Sequence, residues 1–282
     1  MLRVNDNGER LFAFRRGNGA LWVVEEELRG DWSKKSKGEN AETVNVALAS
    51  RRKTDILRLR PHKVPDGIQL GLAISPGSGL QGSSLYARAA FYSWGHLLRL
   101  AACDLLDVET RELDVAIRPV RSDDKVSYEV VLMDTLENGS GYCRHLSEPE
   151  ELRKLLAAVT NLDQDCWVAR LAKGEHAERC DGSCYDCLRD YSNADVHSVL
   201  DWRLALDLSQ LAADAGADLS VKNDRWAGLV PRAEKVLQEV ARGRTLRMVH
   251  PLDGGFDSGN DRCNLFDAIR RPGMFATHRR SE

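Results

Sequence analysis

The segment Leu85–Leu106 reads LYARAAFYSWGHLLRLAACDLL, and it divides the chain. Apolar side chains recur in it every three or four residues, the spacing that builds one apolar face on an α-helix. The sequence before it alternates at a shorter period. LFAFRR at 11–16 and ALWVVEE at 20–26, separated by Gly17-Asn18-Gly19, have the pattern of a β-hairpin. TDILRLRP at 54–61 and GIQLGLAI at 67–74 predict two further strands. Between these lie two connections, a polar loop over 29–42 and the Gly/Ser-rich turn SPGSGLQGSS at 75–84.

Beyond the long helix, ELDVAIRPV and VSYEVVLMDT predict a strand pair around the polar turn Ser122-Asp123-Asp124. EPEELRKLLAAVTNL predicts a helix with Ser147 as its N-cap, and HSVLDWRLALDLSQLAADA an amphipathic helix over 196–215. The tail predicts a helix over 226–240, a short strand at LRMVHP, a Gly/Asp loop, and a final helical turn in LFDAIRRPG stopped by Pro272. Strands, helix, strands and helices in that order indicate an α+β class: a mixed or antiparallel sheet with packed helices. The expected divisions are a β-rich segment over 1–84, a central domain over 85–215 and a small α/β extension over 216–282.

With 282 residues, 43% hydrophobic and 29% charged, the composition is that of a globular chain with a sizeable core. A formal net charge of −3 provides no global basic field for nucleic acid. Local basic runs stand at Arg51-Arg52-Lys53, Arg58 to Lys63, Arg270-Arg271 and Arg279-Arg280. Their ordinary reading is solvated surface charge, with phosphate binding as the alternative. No apolar run approaches the roughly 20 residues that cross a bilayer, and the N-terminus lacks the apolar core of a signal peptide. A cytoplasmic protein with reduced thiols and no membrane partner is expected.

His176 to Leu188 reads HAERCDGSCYDCL and holds three of the seven cysteines. In His176-x3-Cys180-x3-Cys184-x2-Cys187, the two-residue gap lets two thiolates share one knuckle turn, as tetrahedral zinc requires. A thioredoxin-like role for Cys184 and Cys187 needs a strand before the motif, and KGEHAER is too polar to be one. His176 ranks first as the fourth ligand, His197 at the next helix second, and Cys166 third. Four protein ligands leave no place for substrate, so the Zn2+ would be structural.

RCDGSCYDCLRDYSNADVHSVLDWRLALDL, preceded by VVLMDTLENGSGYCRHL, resembles the zinc-binding domain at the C-terminus of MrfA-type superfamily 2 DNA helicases. Related copies occur in the DrmB proteins of DISARM phage-defence systems. The family's marks are the acidic strand end Asp134-Thr135, the glycine turn Asn138 to Tyr142, the cysteine cluster, Tyr191-x-Asn193, His197 and Leu200-Asp201-Trp202-Arg203. The resemblance is strongest over 86–208. It implies a zinc-binding module that works with a helicase motor on DNA, in phage defence or repair. The motor would be a separate subunit or part of the same parent protein. The chain has no G-x-x-x-x-G-K-[ST] phosphate loop and no DExH-type pair, so ATP hydrolysis is not expected of it alone.

Other residues support weaker readings. The NGSGY turn could bring backbone N–H groups to a phosphate, although a tight structural turn is the plainer reading. Cys143 and His145 are close in sequence, but their i,i+2 spacing points them apart. Asp214, Asp218 and Lys222 supply the residue types of a metal-dependent nuclease, the alternative function. Trp202 beside Arg203 is either a core plug or a base-stacking pair, and Arg270 and Arg271 are further candidates for nucleic-acid contact.

Overall fold

The computed structural model of the chain describes residues 2–5, 11–16, 22–24, 43–51, 53–75, 79–81, 84–121, 125–162, 166–241, 247–253 and 262–264. The chain forms two compact units, Met1–Thr54 and Asp55–Glu282. In the first, β1 (Leu2–Asn5) pairs antiparallel with β5 (Leu48–Arg51). There β2 (Phe12–Arg16) lies between β3 (Trp22–Val24) and β4 (Thr43–Val46), which includes the expected hairpin.

The larger unit is built on β10 (Lys125–Asp134). One edge of β10 pairs along its length with β9 (Leu113–Arg121). The other edge takes β6 (Ile56–Leu59) towards its C-terminal end and β7 (Gly71–Ser75) at its start, with β8 (Gly79–Gln81) beyond β7. Residues 56–81 supply strands to the same sheet as β9 and β10, because β6 and β7 both pair with β10, more than fifty positions further on, and β8 pairs with β7.

Helix α1 (Ser84–Leu106) packs on one face of this sheet. The β10 residues Tyr128, Val130 and Leu132 turn towards it, and Phe91 meets Tyr128 at 5.8 Å between ring centroids. Gly95 marks the closest approach: a Cβ there would lie 2.7 Å from Val115 Cγ1, so only glycine fits without a shift. Further helices pack behind: α2 (Tyr142–Leu146), α3 (Pro149–Thr160), α4 (Trp167–Ala172), α5 (Gly174–Arg179) and α6 (Trp202–Ala213). Alanines 87, 89, 90, 101 and 102 on α1 are buried, which lets α6 approach it closely. Trp94, Trp202 and Trp226 are the largest fully buried side chains, each contributing about 2–3 kcal/mol by burial. This is the α+β arrangement, helices on one face of an antiparallel sheet, with the metal-ligating residues at the edge of the helical layer.

Several local expectations shift. Ser147 caps the end of α2, donating its hydroxyl to Arg144 O, and α3 begins at Pro149 after Glu148. The helix expected from residue 196 begins at Trp202, because Asp201 acts as its N-cap and accepts from Arg203 N at 2.9 Å. A 310 turn, Tyr191–Val196, precedes it, closed by a reciprocal cap between Asp190 and Asn193. The tail carries α7 (Asp224–Ala227), α8 (Val230–Ala241) and the parallel pair β11 (Arg247–Val249) and β12 (Arg262–Asn264). The expected loop over 29–42 and the turn in LFDAIRRPG lie outside the described residues. Among the described residues no helix is long and apolar enough to cross a membrane.

Candidate metal centre

Helices α4 and α5 meet at Gly174, whose φ of +66° is the left-handed conformation that glycine adopts without strain. That corner brings His176 back over α4, where its Nδ1–H donates to Leu171 O at 2.9 Å. With Nδ1 engaged, the lone pair of Nε2 is free to ligate, the usual arrangement of a metal-binding imidazole. Cys180 ends α5, its N–H bonded to His176 O at 2.8 Å. The chain then turns through Gly182 and Ser183 into a knuckle. Cys187 N donates to Cys184 O at 3.2 Å, and Cys184 N points at Cys187 Sγ at 3.1 Å.

The result is a cluster of one imidazole nitrogen and three sulfurs, all within 4.8 Å of one another. Cys180 Sγ lies 3.9 Å from Cys187 Sγ, and Cys184 Sγ lies 3.7 Å from Cys187 Sγ and 3.6 Å from His176 Nε2. A tetrahedral zinc with Zn–S of about 2.3 Å and Zn–N of about 2.0–2.1 Å has S···S edges of about 3.8 Å and S···N edges of about 3.6 Å. These three edges match that figure and the remaining pairs stay within 4.8 Å, so the donor set fits the ion in number and type and lies close to its spacing.

Charge points the same way. The Cys180 thiol is pulled down to about 5, first by a hydrogen bond from Cys187, and Cys187 is pushed up by the same interaction and by burial. Burial also raises Cys184. Sulfurs this close support one thiolate among protonated neighbours. Three thiolates together need a cation between them, which is what a divalent metal provides.

The knuckle is tied to the core from three sides. Trp202 Nε1 and Arg203 Nη2 both donate to Cys180 O, at 3.1 and 3.2 Å, and Trp202 N donates to Gly182 O at 2.8 Å. The Trp202 ring stands edge-on to His176 at 5.6 Å, and Arg203 lies over the Trp202 ring at 4.2 Å while its Nε donates to Arg225 O. On α1, Arg99 Nη2 reaches Asp190 at 3.2 Å, and Ser93 Oγ accepts from Asp201 N at 2.8 Å. Arg189 donates to Ser183 Oγ within the loop, and Arg232 on α8 pairs with Asp181.

The structure brings His176, Cys180, Cys184 and Cys187 together and leaves the two alternative ligands out. His197 donates from Nε2 to Asp190 O at 3.0 Å and Asn193 Oδ1 at 2.8 Å, so it braces the 310 turn. Cys166 heads α4 with its sulfur 3.7 Å from Asn161 O. Trp202 and Arg203 are not available to a nucleic-acid base, since they are 0% and 2% exposed and hold the knuckle carbonyl. Arg270 and Arg271 lie outside the described residues.

The glycine turn is closed by its own aspartate. Asp134 Oδ2 accepts from Ser140 N at 2.7 Å and Tyr142 N at 3.1 Å, and Oδ1 from Cys143 N at 2.9 Å. The N–H groups that could have held a phosphate hold this buried carboxylate instead. Cys143 is buried, and its thiol is pushed up by that burial, while His145 faces Glu151 at 3.7 Å, so the two form no nucleophilic pair. Asp214, Asp218 and Lys222 sit in exposed turns, with Asp214 accepting from Gly216 N. Among the described residues the His/Cys group alone gathers three or more metal-ligating side chains.

Sequence reasoning missed the braces Ser93, Arg99, Asp190 and Arg225, and a buried knot in which Asp207 accepts from Trp226 Nε1 at 2.8 Å and His250 Nε2 at 2.7 Å. Only Asp190-x-x-Asn193 carried a readable signal, the spacing of a reciprocal cap.

Residues 94–188, a span holding all four gathered ligands and the Asp134 turn, match the family model of MZB, the MrfA Zn-binding domain. The chain is 32% identical over 169 residues, 58% of its length, to Druantia protein DruE of Escherichia coli (strain UMEA 4076-1), and spans 8% of that protein's length. A crystal structure of the DUF1998 helicase MrfA bound to DNA is similar over 72% of this chain and 30% of that one, at 11% identity and a TM-score of 0.33.

Proposed function

We propose that this chain is a zinc-stabilised accessory module of a superfamily 2 DNA helicase, without catalysis of its own, acting in phage defence or DNA repair. Its motor is a partner subunit or another part of the same parent protein. One observation carries the reading: a closed three-sulfur, one-nitrogen donor set within the residues that match the MrfA Zn-binding domain. Four protein donors leave no position for substrate or water, which favours a structural ion over a catalytic one.

Bound at these donors, zinc would supply the positive charge that lets three thiolates share one small volume. The remaining work belongs to the chain's own side chains. His176 and the knuckle fix α4 and α5 against α6, and Trp202 and Arg203 transmit that order to the helical core through Cys180 O. The exposed surface of the knuckle, with Tyr185 71% and Tyr191 93% exposed, is then presented rigidly to the motor. Tyrosines of this kind are common anchors of protein interfaces.

The test is co-expression of the chain with a superfamily 2 helicase motor, taken from a neighbouring gene or, where the two are fused, from the rest of the parent protein. Co-purification that is lost in Tyr185→Ala/Tyr191→Ala but not in the native chain is expected. DNA cleavage by the isolated chain with magnesium would overturn the reading in favour of a nuclease, as would native chain that never associates with a motor.

A further inference from the structure

The sheet face turned away from α1 carries the basic run at Arg58 to Lys63 into a cluster that the metal centre does not use. On β10, Lys125, Ser127, Glu129, Val131 and Met133 share this face, because alternate residues of a strand point the same way. Arg118 on β9 stands opposite Glu129, Arg58 on β6 stands opposite Val131, and Arg60, just past β6, follows at the position opposite Glu129. Arg58, Arg60, Arg118 and Lys125 are all exposed.

Glu129, with 3% of its side chain exposed, organises the arginines. It accepts from Arg58 Nε at 2.8 Å and Nη2 at 2.9 Å, and pairs also with Arg118 Nε. Half of each arginine side chain remains exposed, 49% for Arg58 and 52% for Arg118. One carboxylate between two guanidiniums leaves a net positive charge whose outer N–H groups are held in fixed orientation, the geometry that suits phosphate oxygens. The other acid on this face, Asp114, uses Oδ1 on Val115 N. Ser127, Ala116 and Gly71 flank the cluster and keep the face low, so a bulky backbone can approach it. Four exposed cations against two engaged carboxylates stand out on a chain of net charge −3.

We infer that this face, through Arg58, Arg60, Arg118 and Lys125, is a DNA-backbone contact surface that reads phosphate charge and not base sequence. The inference rests on the proposal that the chain works on DNA, and adds where the duplex lies. No aromatic side chain from β10 reaches this face, since Tyr128 turns inward to Phe91, so charge and not base stacking is the attraction on offer. A row across three strands spans about 10 Å, and duplex DNA presents about one charge per 1.7 Å of axis.

The experiment uses the zinc-loaded full chain and a fluorescein-labelled 20-base-pair duplex of DNA, followed by anisotropy between 50 and 200 mM salt. With about three phosphates neutralised, log K should fall against log salt with a slope of about −2.7, close to a 40-fold loss over that range. Arg60→Glu/Lys125→Glu, which leaves the Glu129 cluster whole, should weaken binding at least about tenfold at 50 mM salt and flatten the slope by about 1.8. Zinc content and unfolding midpoint, unchanged in the variant, verify that the fold persists. Equal affinity and slope for the native and charge-reversed chains would overturn the inference while leaving the helicase-accessory reading in place. Absence of any binding at 50 mM salt would overturn it too, and motor co-purification would then test the broader reading separately.

Discussion

Replacing Asp134 by asparagine keeps the shape of the side chain and removes its charge and half of its accepting capacity. The carboxylate is 0% exposed and takes three backbone N–H groups at 2.7, 3.1 and 2.9 Å. The amide oxygen of asparagine can keep Ser140 and Tyr142, but its NH2 group then faces Cys143 N–H, donor against donor. Loss of one charge-assisted bond and the stranding of a buried donor together cost about 3–4 kcal/mol. That is a large part of the roughly 5–15 kcal/mol that holds a domain folded. Asp134 joins the end of β10 to the start of α2, so the loss should weaken the contact between sheet and helices. Urea unfolding of the zinc-loaded protein, followed by tryptophan fluorescence, reads the change as a midpoint lowered by about 1 M or more at an m-value of about 3 kcal/mol/M. Zinc content should stay at one equivalent in the folded fraction. A loss under about 1 kcal/mol would refute the reasoning, because the three N–H groups would then be satisfied without the carboxylate.

Further outcomes follow from the metal centre and the core. Cys184→Ser and His176→Ala should each hold less than half an equivalent of zinc and unfold at markedly lower denaturant, whereas His197→Ala and Cys166→Ser should retain one equivalent in elemental analysis. Arg203→Met takes the Nε donor from Arg225 O and leaves Cys180 O to Trp202 Nε1, and should cost about 1–3 kcal/mol in the same unfolding assay. Burial, and then the neighbouring Arg99, lowers His96 to about 4 from its ordinary 6.5. The unfolded chain therefore takes up a proton that the folded chain refuses, so stability is present above about pH 6.5 and falls as pH drops towards 4, by about 3 kcal/mol in all. Unfolding at pH 7, 6 and 5 should be flatter for His96→Gln than for the native chain, with zinc measured at each pH to separate metal loss. Parallel curves would contradict that role for His96.

Much of the fold was legible because its signals are local. The period change at Leu85 gives α1 to within one residue, and the alternating runs give β9 and β10. The gathering of His176 with Cys180, Cys184 and Cys187 was also legible, since short spacing limits how far four ligands can separate. What depends on distant partners was hidden. The sequence leaves Trp202 between a core plug and a base-stacking ring, and the core role is settled only where its Nε1 meets Cys180 O across 22 positions; the two carbonyls that Arg203 serves are likewise distant in the chain. The apolar run through Asp201 looks continuous, and only the capping bond to Arg203 N and the reach of Asp201 N to Ser93, 108 positions earlier, set the helix start. Glu129 likewise has no visible reason to be buried until Arg58, 71 positions away, comes beside it.

The central claim is a closed zinc site of three sulfurs and one imidazole. X-ray absorption at the zinc edge of the purified full chain, with elemental analysis of the same sample, tests it most directly. One equivalent of zinc with three sulfurs at about 2.3 Å and one nitrogen at about 2.0–2.1 Å is the expected result. Less than half an equivalent, a fourth sulfur in place of the nitrogen, or an oxygen ligand marking an open position would contradict it.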